Sequence, residues 1–348
     1  MKKVILCLLA FTVSSLVMSQ PTHVKKYYYW INKAELAICD SDFAKANDCY
    51  EKAFRYHRPL GRHLSTAYLV NVVFTDDTAR IYDHALQLLK CGDEDLAKRY
   101  SKSSSYDTNI YNRLLMLERT TLPSFDTTLH YNLEKIRNQD QAYSHTWGSN
   151  PVEDSLNRAV IKAIYALYSN YNTINDYTAG LRFAYYLYAP GLHYVHSGIH
   201  DLQDLLREEV IKGNIPADLY MTLEDTYLWG QEYMRESDQA TDPNGYGMNE
   251  NYFFRIGDYL FVTYPENVKT VNRNRRKLGV AETFDDLVKK VVWQQQVGKV
   301  YWTTVTIERW GGKEDDLQQA QEQIQEIEKE HASGDFHRQY YLIPAKEK

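Results

Sequence analysis

No segment after residue 18 offers a long uninterrupted apolar stretch, which excludes a helical membrane span from the mature chain. There is no Gly-rich phosphate loop, no Cys-x-x-Cys pair, no nucleophile elbow and no Ser/His/Asp order. Those absences remove the common nucleotide, redox and hydrolase signatures, and no cofactor is expected. Positive charge is not in excess either. The formal net charge is −6, which argues against nucleic acid, whose affinity comes largely from Lys and Arg neutralising phosphates. Cysteine is scarce, at 4 residues, and Cys7 lies in the first apolar run. The other three, Cys39, Cys49 and Cys91, are odd in number, so at least one thiol is free. Cys39 and Cys49 flank a tight turn unequally, which offsets them by roughly 8 Å along a helix pair. That is beyond easy disulfide reach, and buried small side chains are the simpler reading.

What is present begins with Met1-Lys2-Lys3 and an apolar run from Val4 to Met18. A charged start and a short apolar core predict a signal peptide over 1–19, cleaved near Ser19, and export to the periplasm or beyond. Loss of Lys2 and Lys3 would make the chain two charges more negative. Tyrosine is abundant, with 30 residues against 11 Phe. A ring that buries its body and wets its hydroxyl suits shallow helix-repeat cores, and also a sugar- or peptide-binding surface.

Residues 30–54 carry the clearest pattern. Trp30, Ala34 and Ala37 share one helix face. Asp40-Ser41-Asp42 makes a polar turn, and Phe43, Ala46, Tyr50, Ala53 and Phe54 come next on a second helix. Small residues let two helices approach, while Trp30, Phe43 and Tyr50 fill the gaps between them. This spacing resembles a tetratricopeptide unit, with Ser41 where the family has Gly. A weaker unit spans about 78–101, through Ala85, Leu88, Leu89, Leu96, Ala97 and Tyr100. Between them, 63–74 reads as an amphipathic helix with Leu64, Ala67, Tyr68 and Asn71 on one face. The resemblance implies a helical array over 20–125 that holds a peptide or protein partner. Ile110, Leu114, Leu115 and Leu117 make 109–122 apolar on one side, so this segment is expected to pack the array onto the C-terminal helices.

Residues 126–348 read as a second helical domain. Asn150-Pro151 opens a strong helix with Glu153 and Asp154 at its positive end. Further helices are expected near 179–189, 193–212, 216–235, 265–278 and 283–297, with Gly213 and Gly279 ending two of them. Val300 to Glu308 reads as a short strand and 337–343 as its partner. A thin stripe of Leu317, Ala320, Ile324 and Ile327 marks a polar helix packed on one side. Asp140-Gln141, a His-bearing helix, the Tyr246-Gly247 turn and Asn272…Arg275-Arg276…Gly279 together look like an uncharacterised domain that accompanies tetratricopeptide units in exported Bacteroidota proteins. That likeness covers roughly 128–295. It departs at Tyr143-Ser144, where an Arg usually follows the Asp-Gln step, and at Asp225-Thr226, where an Asp-Arg pair is usual.

Three groups could carry chemistry. His193, His196 and His200 fall on one face of a helix, a geometry that can hold zinc, although Gly191 and Gly198 would scatter the rings and Ser197 stands where a general base would be. Asp140 and Gln141 would pair a base with an orienting amide, or simply end a helix. Arg275 and Arg276 would clamp a carboxylate or phosphate, or complete the negative end of a helix before Gly279. The sequence therefore predicts an all-α protein: a tetratricopeptide-like array packed on a C-terminal helical domain with one short β element. Its expected role is binding a protein or peptide, with a polar His-site enzyme or metal protein as the alternative.

Overall fold

A computed structural model describes residues 22–90, 93, 95–101, 106–122, 131, 134, 135, 138, 203–213, 215–233, 245–248, 252–297, 308–310 and 316–343. The expected signal peptide over 1–19, the helix expected after Asn150-Pro151, the one expected over 179–189, and Cys91 lie outside them. The described chain is mostly helical. In order it forms α1 (Thr22–Cys39), α2 (Phe43–Tyr56), α3 (Gly61–Val70), α4 (Thr78–Lys90), α5 (Leu96–Tyr100), α6 (Thr108–Thr120), α7 (Gln203–Lys212) and α8 (Ala217–Tyr233). Then come β1 (Phe253–Ile256), β2 (Tyr259–Thr263), α9 (Val268–Lys277), α10 (Phe284–Val297), β3 (Glu308–Trp310), α11 (Asp316–Ala332) and β4 (Arg338–Leu342). None of the described helices is long and apolar enough to cross a membrane.

The α1–α2 pair forms where its spacing predicts it. Ala34, Ala37, Ala46 and Ala53 are fully or almost fully buried, as are Tyr27, Tyr28, Ile31, Ile38 and Tyr50. Trp30 and Phe43 are partly buried and pack against this cluster. The turn explains itself locally. Ser41 N–H donates to Ile38 O at 2.9 Å and Asp42 N–H to Ala37 O at 2.8 Å. This is a Schellman end, and it holds Ser41 at φ +58°. Asp42 then caps α2 by accepting from the Lys45 N–H at 3.1 Å.

Beyond α2, the buried amides of Asn47 and Asn71 bond each other both ways, at 2.7 and 3.2 Å. Just past that lock α3 widens into a π turn over Asn71–Thr75. Leu64, Tyr68, Ile81, Leu88, Leu96, Tyr100 and Leu114 form a second cluster across α3 to α6. Among the described residues, α6 packs on α4 and α5, and most of the 126–202 segment that 109–122 was expected to meet lies outside them.

Among the described residues the first helix makes much of the contact between the two halves. One cluster of buried residues runs from Val24 and Ile38 through Val210, Met221, Phe253 and Phe284 to Ile343. The Tyr28 hydroxyl accepts from the Ala217 N–H at 2.9 Å, and Asn32 Nδ2 donates to Asp286 at 3.0 Å.

The single short β element becomes a four-stranded sheet in the order β3-β1-β2-β4. Strands β1 and β2 form an antiparallel hairpin that pairs Ile256 with Tyr259. Its two-residue turn places Gly257 at φ +55°. Of the expected 300–308 strand, 300–307 lies outside the described residues, and Glu308–Trp310 pairs in parallel with β1. The 337–343 strand exists but pairs with β2, through Tyr259 to Leu342 and Thr263 to Arg338, not with β3. Ala320 and Ile327 of α11 cover Ile256 and Phe261, so that helix is packed on one side as its stripe implies.

Ala46→Leu or Ala53→Leu should overpack the first pair and cost roughly 1–3 kcal/mol in denaturant unfolding. The same change at exposed Ala44 should be nearly neutral. Ser41→Gly should stabilise by about 1 kcal/mol, because glycine takes the left-handed turn without a Cβ clash.

Candidate functional site

The densest polar chemistry lies buried where α1 meets α10. Glu35 sits between Ala34 and Ala37, both almost fully buried, and Lys290 between buried Val288 and Val291. Helical spacing therefore points both charges inward. Lys290 Nζ donates to Glu35 at 2.5 Å and to Glu282 at 2.7 Å. Glu282 also pairs with Arg275, whose side chain is wholly buried. A chain of alternating charge results: Glu35, Lys290, Glu282, Arg275. Beside it Arg62 of α3 pairs with Asp218 of α8 at 2.5 Å.

Burial works against every charge in this chain, and the neighbours decide the balance. Burial opposes ionisation of Glu282, yet Lys290 and Arg275 outweigh it and hold its carboxyl down at about 2. For Glu35 burial wins, and its carboxyl lies above the ordinary range although Lys290 pulls it back. Burial disfavours the Lys290 ammonium, but Glu282 and Glu35 keep it charged. His63 is the neutral member. Burial, with Arg62 and Lys290 nearby, takes its imidazole well below the usual range, and its Nδ1 lies 2.6 Å from the Tyr27 hydroxyl.

A cavity of about 30 Å³ opens among Asn32, Glu35, Arg62, His63, Asp218 and Lys290. Asn32 Oδ1, Glu35 Oε1 and Arg62 Nε are buried without a hydrogen-bond partner among the described residues. Two acceptors and one donor around so small a space suit a bridging water. An organic substrate does not fit there, so the acid, the imidazole and the cations serve the junction.

The predicted residues divide. Asp140, Gln141, His193, His196 and His200 lie outside the described residues. Arg275 and Arg276 do not act together: Arg276 is exposed, while Arg275 turns inward, donating from Nε to Tyr246 O at 2.7 Å, from Nη1 to Glu282 and from Nη2 to Met248 Sδ at 3.1 Å. The clamp reading is thereby corrected, because the Arg275 guanidinium is consumed by the protein itself. From the other side, Asp225 accepts the N–H groups of Tyr246 and Met248 at 2.7 and 2.6 Å. Gly247 at φ +72° has no room for a Cβ, which would stand 2.6 Å from Phe284. Asn272 accepts the Phe284 N–H at 2.8 Å. Tyr246, Gly247, Asn272 and Arg275, which carry the second resemblance, thus form one structural knot with Asp225.

A different feature faces outward on α1 and α2. Tyr29 and Tyr56 are 44% and 39% exposed. Lys33 Nζ lies 4.5 Å from the Tyr29 ring centre and 5.3 Å from that of Trp30. Lys52 lies 4.8 Å above Trp30, and Lys26 5.1 Å above Tyr56. Among the described residues none of these lysines forms an ion pair. Their ammonium groups lie over π faces and remain open to solvent.

No family model matches the chain, and no curated protein or solved structure is similar to it.

The charge chain carries a pH dependence. Glu282, lowered from 4.5 to about 2, contributes stability that is present above pH 4.5 and lost as pH falls towards 2. Glu35, raised, contributes in the opposite sense and loses its share as pH rises. Glu282→Gln should therefore cost about 3 kcal/mol at neutral pH. It should also flatten the acid limb of the stability curve between pH 4.5 and 2, measured by urea unfolding across that range.

Proposed function

We propose that this is an exported binding scaffold. In this reading its first helix pair, tetratricopeptide-like in spacing, holds an acidic peptide segment of a partner protein. The observation that carries it is the lysine–aromatic face of α1 and α2. In a chain of net charge −6 this face gathers Lys26, Lys33 and Lys52 around Tyr29, Trp30 and Tyr56. Carboxylates of a partner would meet ammonium groups that no acid of the described chain occupies, and its apolar side chains would rest on the half-exposed rings. The buried charge chain supports the reading by fixing α1 against the C-terminal half, so the face is presented rigidly and little ordering is required on binding.

The probe is a fluorescent peptide of alternating Glu and Phe, with neutral Gln-Phe and basic Lys-Phe peptides of the same length beside it. The acidic peptide should bind best and weaken as salt rises. The Lys33→Glu/Lys52→Glu double variant should weaken it at least about tenfold while melting like wild type. Equal binding of all three peptides, or an unaffected double variant, would contradict the proposal.

A further inference from the structure

A larger opening lies at the far end of α1, where Cys39 meets α10 and the β2–β4 side of the sheet. Its volume is about 330 Å³, within the range of roughly 300–1,000 Å³ typical of small-molecule sites. Val288, Val292 and Trp293 give it an apolar wall, Tyr264 and Tyr341 add phenol rings, and Asp285 stands with them.

The acids and bases around it are used unequally. Asp286 accepts the Thr283 N–H at 3.0 Å and gives its own N–H to Thr283 Oγ1 at 3.1 Å, a reciprocal cap on α10. It also takes the Asn32 amide. Lys289 is engaged with Asp40 at 2.6 Å. Asp285 has no cation to answer it, and its carboxylate shares a hydrogen bond with the Tyr264 hydroxyl. It is exposed, caps nothing, and makes no ion pair among the described residues. Its influence falls on the Tyr264 hydroxyl, which burial chiefly, with Tyr341 and Asp285 behind it, keeps protonated. The Cys39 thiol is neutral as well, pushed by burial up to about 12. Of the two charged residues in the lining, Lys289 is balanced by Asp40, and Asp285 is left as a carboxylate without a cation among the described residues.

We infer that this pocket binds an organic ammonium group carried on an apolar body, such as an aralkylamine or the side chain of a lysine. A carboxylate without a cation, beside three aromatic side chains, meets both demands of such a ligand: charge pairing and attraction to ring faces. An anion would meet the Asp285 carboxylate, while the one cation of the lining, Lys289, is already taken by Asp40. A purely apolar ligand would strip water from Asp285 and leave its charge with the Tyr264 hydroxyl alone. This site is separate from the lysine face and independent of the peptide-binding reading.

The test is calorimetric titration of the full chain with benzylammonium, with benzyl alcohol, benzoate and methyl glucoside as comparators. Benzylammonium should bind with a dissociation constant at or below about the millimolar range. The three comparators should bind at least about tenfold more weakly. Asp285→Asn keeps the side-chain shape and removes the charge, and should lose about tenfold for benzylammonium alone. Lys45→Gln, outside the pocket, should bind like wild type. A melt of Asp285→Asn that matches wild type shows that the loss is not unfolding. Binding of benzyl alcohol or the glucoside as tight as benzylammonium, an unaffected Asp285→Asn, or no binding at all would overturn the assignment.

Discussion

A lysine ammonium can stay charged in a protein core only where carboxylates surround it, because taking it out of water costs several kcal/mol that only close partners return. Lys290 is 1% exposed at its side chain and lies between Glu35 at 2.5 Å and Glu282 at 2.7 Å. Those partners come from distant parts of the sequence. Glu35 belongs to the first helix, while Glu282 precedes α10 and is held in turn by Arg275. The arrangement satisfies the lysine only if α1 is seated on α10. Such a junction adds little net stability against an apolar alternative, but it penalises any packing that separates the partners.

Much of the described chain depends on that seat. With α1 in place its apolar face completes the cluster that reaches from Val24 to Ile343. Tyr28 then closes on Ala217 N and Asn32 on Asp286. Arg62 and Asp218 repeat the logic between α3 and α8. The opposite face of the α1–α2 pair remains outside, carrying its lysines over exposed rings. The end of α1 closes one side of the larger pocket through Cys39.

Local rules are the legible part of the sequence. Alanine spacing locates α1 and α2, and Gly213 and Gly279 mark helix ends at φ +82° and +74°. Even the Ser41 departure is informative, since the turn needs the left-handed backbone that glycine supplies more cheaply. The hairpin is not among the expected elements although Phe253 to Thr263 carries its signal, two aromatic-rich runs around Gly257-Asp258. Strand partnership differs from expectation because sequence nearness of 300–308 and 337–343 says nothing about which edge each joins. The junction is the least legible feature. Glu35 and Lys290 each interrupt an apolar helix face, which is a readable anomaly, but nothing local says that the two anomalies answer each other across 255 positions. Arg275 departs for the same reason: a basic helix end normally faces solvent, and this one is drawn inward by Glu282, Tyr246 O and Met248.

If Lys290 joins the first helix pair to the C-terminal half as one unit, both sides must loosen together when its charge is removed. Hydrogen exchange on the native protein and on Lys290→Met tests it directly, reading amides of α1, α2 and α10 separately. The account predicts that protection falls in all three helices by a similar factor, because the uncompensated Glu35 and Glu282 loosen both sides of the junction together. Loss of protection in α10 alone, with α1 and α2 exchanging as in the wild type, would contradict it.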